Sequence, residues 1–214
     1  MGKLVEAFKA ELVRAGFVVL PDDVRNKKFL ASTVGLPENV RDGIVDHYRG
    51  LGGAAAYTNF TSGKWDIATG DGLLIEFDEQ LHFNRYRHRT LASPWSAEIP
   101  WTVAYLHYSS IHEDECVKAG SYGQKWTSPS TEKMFGPADP PRTFDPNGSP
   151  RWKQRALYDA VKDAYAVHTP GISMTRVSLY DHIGGAGIHQ ALKPSGARLD
   201  PAALREFVTE NTIR

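Results

Sequence analysis

At 214 residues the chain is long enough for one full-sized domain with a core of its own, or for one domain carrying a large insertion. An apolar fraction of 41% with 11% aromatics excludes a disordered chain, and the single cysteine, Cys116, excludes both an intrachain disulfide and a thiolate zinc cluster. The 25 basic and 25 acidic side chains cancel, which argues mildly against a nucleic-acid partner, although an acidic metal site can mask a local basic face.

No secretory segment and no apolar run of membrane-spanning length is present, so the expectation is a soluble, cytoplasmic protein with no membrane partner. Leu4, Phe8 and Leu12 recur on one face of a predicted helix over 3–15, and Gly16 is placed to end it. Residues 17–20 read as a connector, and 22–37 give no clear assignment. Pro37 suits the start of a second helix over 38–50, with Val40, Ile44, Tyr48 and Leu51 at i+4 and i+3 spacing.

Three candidate strands follow, at 54–60, 64–69 and 73–78, the last two joined by the turn Gly70-Asp71-Gly72. Residues 92–150 carry Trp95, Trp101 and Trp126 among many Ser, Pro and Gly residues, with no helical period beyond a short run near 100–108. That stretch reads as an insertion folding over the core as a lid. Trp152, Leu157, Val161 and Tyr165 mark a helix over 151–167, and the alternating run 172–180 a strand. Residues 182–199, rich in glycine, read as an exposed loop, and Asp200-Pro201 opens a last helix over about 200–211, with Leu204, Phe207 and Val208 inward.

The candidate chemistry lies in Lys64–Arg89. If Gly70-Asp71-Gly72 is a three-residue hairpin loop, Thr69 pairs with Leu73 and Asp66 falls opposite Glu76. Two opposed carboxylates repel each other, and a divalent cation between them reverses the sign of that interaction. Hard cations such as Mg²⁺ take this ligand set. The same two residues also read as solvated hairpin carboxylates. Context favours the metal, because Glu76 and Asp78 sit in an apolar run where buried carboxylates need partners. His82 would position a water or carry a proton beside such a site, or is an ordinary surface histidine. Arg85, Arg87 and Arg89 read either as a solvated helix face or as phosphate contacts.

The stretch resembles the PD-(D/E)XK nuclease superfamily, in its very-short-patch-repair-like branch. The branch pattern Ile-Glu-x-Asp-Gly-x-x-His is similar to Ile75-Glu76-Phe77-Asp78-Glu79-Gln80-Leu81-His82, with Glu79 in the glycine's place. A second block, a helix Asp-x-x-Lys-x-x-Tyr and a strand ending Arg-Ile/Val, is similar to Asp159-Ala160-Val161-Lys162-Asp163-Ala164-Tyr165 and the strand that ends at Arg176-Val177. The resemblance covers about 38–91 and 151–181, with a longer gap between the blocks than is usual. It implies an α/β fold with a restriction-endonuclease-like core: a central mixed sheet flanked by helices in a single domain over 1–214, with 92–150 as the insertion.

It further implies a metal-dependent endonuclease hydrolysing phosphodiesters, most of all in double-stranded DNA, in restriction, repair or defence. Mg²⁺ or Mn²⁺ would be held by Asp66, Glu76 and the Phe77 carbonyl. Asp78 stands where the superfamily has its lysine, so His82 or Lys162 is implied as the catalytic replacement. Asp159 and Arg176 fit a structural ion pair beneath the site. Arg85, Arg87, Lys153 and Arg155 are candidates for holding the nucleic-acid backbone, and a homodimer suits a double-strand cutter. Two other readings remain. One is a catalytically inactive nuclease-fold module that binds nucleic acid or protein. The other is a zinc or iron site at His107 and His112 with Glu113, Asp114, Glu115 and Cys116, though no His-Glu-x-x-His spacing supports it and a solvated acidic turn is the simpler account.

Overall fold

The structure, a computed structural model, describes residues 2–22 and 30–214; of the unassigned stretch 22–37, residues 23–29 lie outside it. In chain order the elements are α1 (Lys3–Arg14), α2 (Glu38–Gly50), β1 (Ile67–Ala68), β2 (Leu73–Asp78), α3 (Arg85–Thr90), α4 (Thr102–Ile111), α5 (Glu113–Gly120) and α6 (Pro129–Phe135). After them come α7 (Pro150–His168), β3 (Ser173–Ser178), β4 (His182–Ile183), β5 (Ala186–Gly187), α8 (Ile188–Ala191) and α9 (Pro201–Glu210). The protein is a mixed α/β chain, and its contacts divide it into two compact units: residues 1–30, 64–79 and 170–214, and residues 31–63 and 80–169.

The first unit holds a mixed three-stranded sheet in the order β1-β2-β3, with β1 antiparallel and β3 parallel to β2. Successive side chains of a strand point to opposite faces. Ile67, Leu73, Ile75, Phe77 and Val177 therefore share one face, where they pack with Val5, Phe8 and Leu12 of α1 and Leu204 and Val208 of α9. Phe8 and Phe77 meet with ring centroids 5.0 Å apart. Helix α1 ends as its sequence predicts. Gly16 takes φ 83°, the Gly16 amide donates to Val13 O and the Phe17 amide to Leu12 O, which is the Schellman arrangement. At the start of α9, the Asp200 carboxylate accepts from the Ala203 amide and Pro201 fills the first helical position.

Two expectations for this unit are corrected. Residues 182–199 are not an exposed loop: β4 and β5 form a hairpin and α8 follows, with Ile183, Ile188, Leu192 and Leu199 buried. The glycines that suggested a loop are the hairpin turn itself. Gly184 and Gly185 take φ 57° and 80°, the left-handed pair that a two-residue turn between strands needs. The run 17–20 is more than a connector, because Val19 bridges to Thr69 at the end of β1.

The second unit is helical. Val40, Ile44, Tyr48 and Leu51 are buried along α2, as their spacing predicts. Helix α7, capped by Ser149 on the Trp152 amide, buries side chains around most of its circumference, including Trp152, Leu157 and Val161. The expected strand at 54–60 is absent, and its place is taken by irregular chain tied to the Thr33 amide and hydroxyl through Phe60. The stretch 92–150 carries more helix than its one short run near 100–108 suggested: α4, α5 and α6 lie in it, and α6 packs on α7. Trp126 stands edge-on to Trp152 at 5.1 Å, with Phe144 beside both. It is part of this unit's core. Helix α4 falls on the short helical run near 100–108, while α5 and α6 escaped the sequence reading because they are shorter than the window over which a period shows.

Within this unit a half-buried histidine makes a pH-dependent stability expected. His47 Nε2 lies 2.6 Å from Ser93 Oγ, which itself donates to Thr90 O and so is left to accept from the ring. Burial, then the positive charges of Arg89 and Arg87, hold the His47 pKa below its ordinary 6.5. The unfolded chain thus binds a proton here that the folded chain resists, so stability is full above about pH 6.5 and falls as pH drops below it. Urea titrations at stepped pH check this: His47→Gln should flatten that acid-side loss, and an identical slope in the variant would contradict it.

Candidate metal centre

The site grows out of the β1–β2 hairpin. Ile67 pairs with Ile75 and Ala68 with Leu74, and the Thr69 amide donates to Leu73 O at 2.9 Å. Gly72 takes φ 90°, so the three-residue loop Gly70-Asp71-Gly72 closes with a left-handed residue that glycine adopts without strain. That register carries Asp66 opposite Glu76, as the loop length predicts. Each carboxylate reaches across to the other strand's backbone: the Asp66 amide donates to Glu76 Oε1 at 3.1 Å, and the Phe77 amide to Asp66 Oδ2 at 3.0 Å. These bonds lock the pair in place, each through one oxygen of the carboxylate.

The parallel partner adds the charge. β2 and β3 pair Glu76 with Arg176 and Asp78 with Ser178, which puts Glu76, Asp78 and Arg176 on the face opposite the apolar core. Arg176 Nη1 lies 2.8 and 3.2 Å from the two oxygens of Asp78 and 4.0 Å from Glu76 Oε2. Arg176 is 0% exposed, Asp78 1% and Glu76 3%, while Asp66 is half-buried. Buried charges survive only when paired and hydrogen-bonded, and this sheet face satisfies that by grouping them. The donors that Asp66 and Glu76 present are all hard oxygens, the set that suits Mg²⁺ or Mn²⁺, so the residues fit the implied ion. The Phe77 side chain faces the apolar core, and only its main chain belongs to this face. Asp78 is one partner of Arg176, a strand away on the same sheet face.

The other sequence candidates belong to the second unit. His82 ends a short 3-10 turn, and its Nδ1 lies 2.8 Å from Asp159 Oδ2 on α7. That bond fixes the ring's orientation. Lys162 sits one turn further along α7, 6% exposed.

The backbone-holding set is corrected in part. Arg87 is 1% exposed and its Nη2 donates to Asp163 Oδ2 at 2.7 Å, so it cannot contact a phosphate. Lys153 is 5% exposed, with Nζ on Asn147 Oδ1, and burial lowers its pKa. Arg155 Nη1 donates to Leu81 O at 3.2 Å. Arg85 is exposed, but both arms of its guanidinium lie on Glu113, at 2.8 and 2.9 Å, and it stacks 4.0 Å over Phe144. The geometry of α3 explains Arg87. Residues two apart on a helix point to opposite sides, so Arg85, Arg87 and Arg89 cannot all face water.

The alternative zinc or iron site is also corrected. His112 Nδ1 is bonded to Glu115, Glu113 is held by Arg85, and burial pushes the Cys116 thiol up to about 12, against the thiolate a metal needs. Among the described residues, no three donors of that segment come within ligand range of one another. The sequence reading missed the Arg87–Asp163 pair and the His47–Ser93 bond. Asp163 on the buried side of α7 was the available signal for the first; nothing in the sequence marks the second.

Among the described residues no helix is long and apolar enough to cross a membrane. A family model described as a family of unknown function (DUF7255) matches residues 46–194. No curated protein and no solved structure matches the chain.

Proposed function

We infer that this chain, which belongs to the DUF7255 family of unknown function, is a divalent-metal-dependent nuclease that hydrolyses phosphodiester bonds, with double-stranded DNA as the leading substrate. The observation that carries this reading is Asp66 facing Glu76 across the hairpin, each locked by the other strand's backbone amide. The fold supports it too. An antiparallel hairpin whose second strand pairs in parallel with a later strand is what a restriction-endonuclease-like core calls for.

Asp66 and Glu76 would hold Mg²⁺ or Mn²⁺, with the Phe77 carbonyl as a further oxygen. The chemistry such an ion supplies is acidification of a water and neutralisation of charge on the scissile phosphate. The chain's own part is positional. The Asp66 and Phe77 amides fix the two carboxylates, and Arg176 holds Asp78 on the same sheet face beside Glu76. The inactive-module reading draws its support from the phosphate-contact candidates, of which Arg87 and Lys153 are buried and Arg85 is neutralised by Glu113.

Cleavage separates the two. Wild-type protein should nick or cut plasmid DNA with Mn²⁺ or Mg²⁺ and not with EDTA, and Glu76→Ala should lose at least about 10²-fold in rate with its circular dichroism intact. Unchanged cleavage by Glu76→Ala sinks the assignment, and no metal-dependent cleavage of DNA or RNA by the wild type favours the inactive module.

A further inference from the structure

A concave site lies in the first unit, against α1. The groove, of about 460 Å³, runs between α1 and the turn after α8. That is within the size range of specific binding pockets. Leu4, Ala7, Ala191 and Leu192 give it an apolar floor, while Lys3, Lys193 and Arg198 stand along its edge. Its one acidic wall, Glu11, is 3% exposed and already bonded by Arg14 and by Arg198, the latter at 2.6 Å. Glu11 is therefore offset by two guanidinium groups and does not repel an anion. Lys193 Nζ donates to the neutral Gln190 side chain at 2.9 Å. Lys3 and Lys193 are both exposed.

We propose that this groove is a docking site for an acidic amphipathic helix of a partner protein. An apolar floor with a cationic edge is complementary to a helix that offers apolar anchors one turn apart and carboxylates beside them. The small side chains of Ala7 and Ala191 let such a helix approach closely. A basic or neutral segment would leave the cationic edge uncompensated. The partner would meet α1 and the 191–198 turn, and neither carries the Asp66–Glu76 carboxylates, so this docking stands apart from the nuclease reading.

The test is a charge exchange, read by fluorescence anisotropy with two synthetic helical peptides. Both carry leucines at i and i+4; one is flanked by glutamates and the other by lysines. The glutamate peptide should bind the wild-type chain at least about tenfold more tightly than the lysine peptide. Lys3→Glu/Lys193→Glu, which alters only exposed side chains, should invert that preference, and Ala7→Trp should abolish binding by filling the floor. Absence of binding by either peptide, or a preference that survives the charge reversal, overturns the proposal. Since no metal is involved, failure here leaves the cleavage experiment untouched.

Discussion

Arg176→Met is expected to destabilise the protein by about 3–5 kcal/mol, the cost of removing one partner from a buried ion pair. Arg176 is 0% exposed and its Nη1 serves Asp78 at 2.8 Å with Glu76 at 4.0 Å. Methionine fills much of the volume but takes the guanidinium away from two carboxylates that cannot move to water. The neutral pair Asp78→Asn/Arg176→Gln should cost less than Arg176→Met, since it removes the nearer carboxylate's charge together with the guanidinium and leaves only Glu76, which also accepts from the Asp66 amide, without Arg176. Urea unfolding measures both. A loss under about 1 kcal/mol for Arg176→Met would mean that the cluster is not held by this pair.

The second large effect concerns Arg87, which the sequence offers as a phosphate contact and the structure buries. Arg87→Ala should likewise lose about 3–5 kcal/mol, because Asp163, 2% exposed, loses the guanidinium 2.7 Å away. Arg85→Ala, two residues earlier, should lose no more than about 1 kcal/mol, since its pair with Glu113 is open to solvent. Chemical denaturation of the two variants side by side decides the matter. Equal and small losses would return Arg87 to the surface and reopen its role in nucleic-acid contact.

The contrast between these neighbours shows what the sequence made legible. Helices with spaced apolar residues and clear ends, such as α1 with Gly16 or α9 with Asp200-Pro201, were readable because local chemistry fixes them. The hairpin was readable for the same reason: a three-residue loop sets the register, and the register sets Asp66 against Glu76. What could not be read was decided by tertiary partners. Arg87 looks like a surface arginine until Asp163 meets it from α7, and Arg176's choice of Asp78 depends on a parallel pairing between strands far apart in sequence. Of the helices of 92–150, α4 showed as the short run near 100–108, whereas α5 and α6 are too short for a pattern, so packing on neighbouring elements defines them.

The proposed nuclease function rests on Asp66 and Glu76 holding a cation together. Calorimetric titration of the metal-stripped protein with Mn²⁺ tests it without reference to any substrate. The wild type should bind the ion, and Asp66→Asn and Glu76→Gln should each weaken that binding by about tenfold or more, with unfolding midpoints near the wild-type value in EDTA. Binding that is unchanged in both variants would place the ion elsewhere and contradict the claim.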